Sequence, residues 1–351
     1  MRREEVSVVM TAVLSGCGSM ARGWLRAILD NPDLSQRVRL RGLVDLDIDA
    51  ARRLAAEFEL GDVVIGTDLA AVLEETGAEI LFDVVVPPAR STVVEIGLAH
   101  GCHVLSEKPL ASSMAEAEAL IALAGQAERI HAVVQNRRFI PGVRRLRRAV
   151  AEGLIGDLTA IHGDFFLGPH FGGFREAMDN VLLLDMAIHT FDAARFISAK
   201  QPQSVYCLET NPAGSWYRHG AAADAIFQMS DGCVFTYRGS WCAPGQPTSW
   251  ESRWRLVGTK GMITWDGAET FEATIAGKEP GLLPGHVAVD VPAAPEDART
   301  LGHASVIADF IDAIGRGGAP ETVSSDNIKS LAMVFGAIES ARTGMPVSIA
   351  A

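Results

Sequence analysis

The stretch AVLSGCGSMARG, Ala12–Gly23, decides the fold, and it supports two incompatible readings. Leu14-Ser15-Gly16-Cys17, after two arginines and a short apolar run, has the form of a lipoprotein cleavage site. Gly16-x-Gly18-x-x-Ala21, after the same run, has the form of a dinucleotide-binding turn. Export is the poorer fit: the apolar segment Val6–Leu14 is at the short end of a signal core, and Glu4 and Glu5 lie in a flank that a signal peptide keeps positive. The cofactor reading needs a strand, a glycine turn and a helix in that order. Val8–Leu14 is rich in β-branched and aliphatic residues, and Met20, Trp24, Leu25 and Ile28 then recur at helical spacing.

A bare glycine turn carries little weight alone, because its meaning depends on a second strand that ends in an acidic residue within the same βαβ unit. VRLRGLVDLD supplies that strand and brings Asp45 to the cofactor edge, where a carboxylate accepts hydrogen bonds from the adenosine ribose. Gly16 permits the tight turn, Gly18 lets the backbone approach the pyrophosphate, and Ala21 keeps helix and strand close. No arginine immediately follows Asp45 to hold a 2′-phosphate, so the expected cofactor is NAD rather than NADP. The residues expected to line it are Gly16, Cys17, Gly18, Ser19, Met20, Asp45, Pro87, Glu107 and Lys108.

With 351 residues the chain is long enough for two domains, each with its own apolar interior. Hydrophobic residues make up 48% and charged residues 21%, and no apolar run reaches the roughly 20 residues of a membrane span. Acidic residues outnumber basic ones 43 to 31, for a formal charge of -12, which disfavours a nonspecific nucleic-acid binder. The basic exception, VRRLRRAV at Val143–Val150, reads as a solvated helix face. Cys17, Cys102, Cys207, Cys233 and Cys242 show neither a C-x-x-C pair nor zinc-site spacing, so reduced thiols in the cytoplasm are expected.

Strands and helices alternate through DVVIG, EILFDVVV, CHVLSE and IHAVVQ, with helices from about Asp68, from Ser91 and from Ser113; this is the rhythm of a doubly wound parallel sheet. After Gln135 a basic helix leads to the strand LTAIHGDFFL, and Asp179–Ile197 reads as a helix. SVYCLET, ADAIFQM, CVFTYRGSW, SRWRLVG and GMITW read as strands, with Asp231-Gly232 as a two-residue hairpin turn. The second domain is therefore expected to be an α/β domain with a largely antiparallel, open-faced sheet whose free face pairs with another subunit. Lys278–Asp297 reads as a Pro- and Gly-rich loop region with at most one strand. Two closing helices are expected to end at Gly315 and Gly344. The expected organisation is a dinucleotide-binding domain over residues 1–135, a substrate domain over 136–301 and closing helices over 302–351.

Two further stretches carry chemistry: HVLSEKPLASSMAEAEAL, with Glu107-Lys108-Pro109 ending the fifth strand, and LLLDMAIHTFD, with Asp185 and His189. E-K-P about 90 residues after a dinucleotide turn, followed by D-x-x-x-H on a helix, is a strong combination. With NRRFIPGVRRLRRAVAEGLIGDL and the closing AIESARTGMPVSI, the chain closely resembles the Gfo/Idh/MocA oxidoreductases over nearly its whole length. The resemblance implies a Rossmann domain followed by an α/β domain, and NAD(P)-linked chemistry on sugars, inositols or related carbonyls. It also implies that Lys108, Asp185 and His189 occupy the catalytic positions, with a Lys108-Pro109 bond that is often cis in relatives.

The residues carry these roles in their own right. Lys108 follows a strand whose C-terminal end faces the cofactor crevice, and Pro109 restricts its backbone to an extended form. Asp185 and His189, four apart on a helix, are expected about 5 to 6 Å apart at Cβ. Loss of a hydride from a secondary alcohol requires loss of the hydroxyl proton, which His189 can take near neutral pH. Lys108 would stabilise the charge on the same oxygen, and Asp185 would orient substrate and imidazole. Arg175 and His170, in the loop after the first strand of the second domain, are further substrate contacts. No metal is expected, although Asp185, His189 and Asp192 offer ligand types.

Two departures from the relatives stand out. Many place a histidine two or three residues past the proline after the fourth strand, where this chain has VVPPARST with Arg90 and Ser91; many also carry glycines before the D-x-x-x-H helix, where this chain has REAMDNVLLLD. The expected activity is an NAD-dependent dehydrogenase or reductase working on a secondary hydroxyl of a sugar, glycoside or cyclic polyol. The alternatives are a non-catalytic cofactor sensor of the same fold and a reductase of a non-sugar carbonyl or imine. A homodimer or homotetramer, with no nucleic-acid or membrane partner, completes the expectation.

Overall fold

A six-stranded sheet with strand order β3-β2-β1-β4-β5-β6, every pair parallel, organises the first of two units. The computed structural model describes residues 9–278, 282 and 285–349. The arginine- and glutamate-bearing start of the chain, including Val6 and Val8, therefore lies outside the described residues. The first unit takes the chain to Asn136 and then Leu301–Ile328; the second takes Arg137–Thr300 and the chain from Lys329 onward. Residues 302–351, read from sequence as one closing segment, divide between the two.

In the first unit β1 (Met10–Ser15) leads through the glycine turn to α1 (Ser19–Leu29). The short α2 (Leu34–Arg37), β2 (Val38–Val44), α3 (Ile48–Glu57), β3 (Val64–Gly66), α4 (Leu69–Thr76) and β4 (Ile80–Asp83) follow. Then come α5 (Arg90–Ala99), β5 (His103–Ser106), α6 (Met114–Gln126) and β6 (His131–Val133). The helix starts are set locally: Asp68 caps α4 by accepting from the Ala71 amide, and Ser113 caps α6 by accepting from Glu116, whose own carboxylate returns to the Ser112 amide. Residues Ile80–Asp83 of β4 are all buried, as parallel strands covered on both faces must be. Trp24 of α1 packs on Phe82 at 5.3 Å between ring centroids. Residues of the later stretch add α9 (His303–Arg316) and the start of α10 (Ser324–Thr343). The stop of α9 is Gly317 (φ 65°), two residues beyond the expected Gly315, because Gly317 is the residue that takes the left-handed cap.

The second unit holds a nine-stranded sheet of order β14-β13-β12-β11-β7-β10-β9-β8-β15, antiparallel throughout except for the parallel pair β7 and β10. Its elements are α7 (Pro141–Ala151), β7 (Leu158–Phe166), α8 (Ile188–Ser198), β8 (Pro202–Thr210), β9 (Ala222–Met229) and β10 (Val234–Ser240). β11 (Arg253–Gly258), β12 (Gly261–Trp265), β13 (Phe271–Ala276), β14 (His286–Ala288) and β15 (Val347–Ser348) complete it. Asp231 (φ 55°) and Gly232 (φ 71°) are both left-handed, the geometry the Asp-Gly hairpin between β9 and β10 demands. β9 alternates buried and exposed residues, so one face of the sheet is covered. On that face Phe191 of α8 meets Phe227 and Tyr237 edge-on at 4.8 and 5.2 Å. The Lys278–Asp297 region contains β14, and residues 279–281, 283 and 284 lie outside the described ones.

The arginines of α7 are not a merely solvated face. Arg145 donates to the Val291 and Pro292 carbonyls and lies 4.0 Å from the Phe271 ring centroid. Arg144 lies over the Phe139 and Phe196 rings, Arg147 lies over Phe196, and Arg148 donates to the Ala293 carbonyl. Their stems and charges fasten chain segments and aromatic rings, a packing use of arginine that charge count alone does not reveal.

Candidate active site

In the first unit the glycine turn has the features a dinucleotide requires. Gly16 has φ 94°, and a Cβ there would meet the Val84 carbonyl carbon at 2.6 Å, so only glycine fits. At Gly18 an added Cβ would meet nothing within 4 Å, and α1 begins there with no side-chain cap. The first amides of an 11-residue helix therefore face open space beside bare backbone, which fits a pyrophosphate. Ser19 and Met20 are exposed at the same helix start, and Pro87 opens a half-buried turn after β4.

Asp45, at the end of β2, is held rather than mobile. Its Oδ2 accepts from the Cys17 amide at 2.7 Å and its Oδ1 from the Asp47 amide at 2.9 Å. Each oxygen retains a lone pair for a ribose hydroxyl. Cys17 is buried, with its Sγ donating to the Val44 carbonyl; burial first, and the Asp45 charge second, push its thiol up to about 12. Cys17 thus contributes its backbone and not a nucleophile.

The Glu107-Lys108-Pro109 turn is gripped from several sides. Trp24 Nε1 donates to Glu107 Oε1 at 2.8 Å, His303 Nε2 lies 3.5 Å from the same oxygen, and the Lys108 amide donates to Oε2 at 3.2 Å. Burial alone would raise the Glu107 carboxyl, but His303, Trp24 and Lys108 together hold it below its ordinary value. The Lys108-Pro109 peptide is cis. Lys108 is half-buried, Glu107 and Pro109 buried.

Arg90 does not sit on the surface awaiting a cofactor. It is 1% exposed and donates through Nε to Asp83 (2.9 Å), through Nη2 to the Val85 carbonyl (2.8 Å) and through Nη1 to the Pro109 carbonyl (2.6 Å). One guanidinium joins the loop after β4 to the turn that carries Lys108. Ser106 bonds Asp83 and lies 3.2 Å from His131 Nε2, extending the buried network. Neither Trp24 and His303 as holders of Glu107 nor Arg90 as a tie was legible from spacing, because each contact joins residues far apart in sequence or on different loops.

In the second unit, Asp185 falls in a π-helical stretch, Leu182–Ala187, and His189 in α8 just beyond it. This corrects the expectation of one regular helix over Asp179–Ile197. The widened turn changes the rotation between the two residues, so the α-helical Cβ spacing does not apply to them. π-turns inside helices are frequently functional sites. His189 is buried and borders a small recess with Thr190, Met186, Trp250, Ser252 and Trp254.

Arg175 and His170 both come from the loop after β7, and their fates differ. Arg175 Nε donates to Asp185 Oδ2 at 2.9 Å, and its guanidinium lies over Phe171 and Phe174. His170 instead stacks on Trp216, with centroids 3.8 Å apart. Tyr217, which the sequence reading passed over, is buried beside the pair: burial raises its hydroxyl, and the charges of Asp185 and Arg175 both act on it. Asp192 is spent structurally. Its carboxylate takes a bidentate bond from Arg138 (2.7 and 2.7 Å) and another from Ser330, so it has no share in a metal site with Asp185 and His189.

A cavity of about 920 Å³ contains none of the expected catalytic or cofactor-lining residues, although Trp254 borders both it and the recess beside His189. It lies on the open face of the nine-stranded sheet, lined by His162, Asp164, Tyr206, Ile226, Arg238 and Arg255 among others. A concave sheet face, not a reaction site, explains it.

A glycine turn shaped for a pyrophosphate, between the first strand and first helix of an all-parallel doubly wound sheet, is the mark of a dinucleotide-binding enzyme. The family model described as "Oxidoreductase family, NAD-binding Rossmann fold" matches residues 10–135, and the GFO/IDH/MocA C-terminal domain matches 143–264. The chain belongs to the Gfo/Idh/MocA family of oxidoreductases. Among its relatives, an uncharacterized protein, y4oX, of Sinorhizobium fredii is 26% identical, with 95% of this chain and 94% of that protein covered. A D-apiose dehydrogenase of Paraburkholderia graminis is 25% identical over 96% of this chain and 88% of its own. An oxidoreductase from Agrobacterium radiobacter, solved with NAD+, L-tartaric acid and magnesium, superposes with a TM-score of 0.83 at 20% identity, covering 97% and 98% of the two chains. No described helix is long and apolar enough to cross a membrane.

Proposed function

We propose that this oxidoreductase prefers NAD and transfers a hydride between it and a secondary hydroxyl of a sugar, glycoside or cyclic polyol. The observation that carries the reading is the fixed Glu107-Lys108-Pro109 turn at the carboxyl end of β5, the edge at which open α/β sheets bind their ligands. The names of related sugar dehydrogenases, D-apiose dehydrogenase among them, support the substrate class.

When bound, the dinucleotide supplies the acceptor for the hydride that leaves the carbinol carbon. Asp45 selects the cofactor: its carboxylate accepts from ribose hydroxyls and repels a 2′-phosphate, and Leu46, not arginine, follows it. His189 removes the hydroxyl proton as the carbon loses its hydride, a task suited to an imidazole near neutral pH. Lys108 donates to the same oxygen and stabilises its developing negative charge. Asp185, clamped by Arg175, orients the substrate, and His170, in the loop that carries Arg175 and stacked on Trp216, would border it. In the reduction direction each proton moves the opposite way.

The open sheet face, with Tyr206, Leu208 and Ile226 exposed, is the surface through which copies of the chain would pair as a dimer or tetramer in the cytoplasm. Sedimentation velocity reads this directly. The activity is tested by following NADH absorbance at alkaline pH over a panel of polyols and glycosides, with Lys108→Ala and His189→Ala alongside. Undiminished turnover in both variants rejects the mechanism, and tight NAD binding without turnover on any compound points instead to a non-catalytic sensor.

A further inference from the structure

We propose that the substrate carries a carboxylate, as a sugar acid or polyhydroxy acid does, and that Arg175 is the residue that reads it. The inference rests on the dehydrogenase reading above and sharpens its substrate class. Arg175 lies in the single turn Gly173–Ala177, and its guanidinium is fixed from more than one side. Nε is bonded to Asp185 at 2.9 Å, while the guanidinium carbon lies 5.1 and 5.0 Å from the ring centroids of Phe171 and Phe174. Among the described residues its Nη1 and Nη2 donate to no acceptor, and the side chain is only 29% exposed.

The outer edge of this guanidinium therefore presents two parallel, unspent N–H groups in a half-dry setting, oriented before any ligand arrives. That edge matches a carboxylate, whose two oxygens accept a bidentate pair in one plane. Hydrogen bonds to an ionised acceptor are about twice as strong as those to a neutral hydroxyl. Phe171 and Phe174, 48% and 62% exposed, reduce the water that would otherwise screen the pair and offer flat surface to the C–H face of a sugar ring. Asp185 meanwhile remains beside the bound group, so one end of the substrate is held where the other can be oriented. Lysine could supply the charge at this position but not the fork.

Matched pairs test the proposal: glucuronate against glucose, galacturonate against galactose, gluconate against glucitol, with glucose 6-phosphate as a second anion. NADH formation is measured for wild type, Arg175→Lys and Arg175→Met. The expected result is a kcat/KM for the acid about 10- to 100-fold above its neutral parent in at least one pair. Arg175→Met should collapse that ratio to within about threefold, and Arg175→Lys should leave it intermediate. A neutral parent or the phosphate ester preferred over the acid, or an acid preference that survives in Arg175→Met, overturns the inference and leaves the dehydrogenase reading standing. Absence of turnover on every compound sinks the dehydrogenase reading instead. Calorimetry on the NAD-loaded protein then decides the inference by itself, since the acids must bind wild type and bind Arg175→Met at least tenfold more weakly, and any other result refutes it.

Discussion

Arg90 donates a 2.6 Å hydrogen bond to the carbonyl of Pro109, the residue after Lys108, while its Nε holds the fully buried Asp83. The lysine turn is thus braced by a charge from the neighbouring βα loop. Arg90→Lys keeps the charge but cannot serve three acceptors in three directions, and each acceptor left unsatisfied costs about 1–3 kcal/mol. A fall in kcat of about 10- to 100-fold is expected, with KM for NAD much less affected. Arg90→Met leaves Asp83 without its cation and should destabilise the chain by about 3–5 kcal/mol in urea unfolding. A kcat in Arg90→Lys equal to that of wild type would show that the brace serves the fold alone.

Asp45 is pinned by two backbone amides, so its negative charge cannot swing away from a 2′-phosphate. Replacing it should relax the choice of cofactor. For Asp45→Ser the ratio of kcat/KM with NADP to that with NAD should rise by at least about tenfold, since like-charge juxtaposition costs several kcal/mol. Steady-state assays with both cofactors measure it, and an unchanged ratio places the discrimination elsewhere.

His131 is held neutral. Burial first, and the nearby Arg90 charge second, lower it from 6.5 to about 3. As pH falls below 6.5 the unfolded chain takes up a proton on this residue and the folded chain does not, so stability contributed by neutral His131 is lost progressively between pH 6.5 and about 3. Urea midpoints measured from pH 7 down to 4 should fall with pH in wild type. His131→Gln, which retains a group able to reach Ser106, should flatten the curve in that window. An unaltered slope would assign the acid sensitivity to other groups.

Where a feature depends on a few adjacent residues, the sequence carries it. The Gly16–Ala21 turn, the Ser113 cap and the Asp231-Gly232 hairpin are of this kind, because local backbone chemistry alone dictates them. Asp45 could be placed because it ends a recognisable strand. The π-turn at Leu182–Ala187 could not, since LLLDMA is an ordinary helical string and the widening is imposed by tertiary packing. The two-residue β15 went unread for a related reason: so short a strand takes its identity from the neighbour it pairs with, not from a pattern of its own. The arginines of α7 misled in the same way, their partners at Phe271 and at Val291–Ala293 being more than 100 residues away. Arg175 was expected at the substrate, but that it clamps Asp185 required coordinates.

The proposed chemistry stands on one requirement, that Lys108 and His189 address the same oxygen of a bound substrate. A crystal structure of the complex with NAD and a substrate or its close analogue measures it most directly. Lys108 Nζ and His189 Nε2 should both lie within hydrogen-bond reach, about 2.6–3.2 Å, of the reacting hydroxyl, with its carbon facing the nicotinamide ring. A complex in which either side chain points away from that oxygen, or in which the two flank different parts of the ligand, contradicts the account.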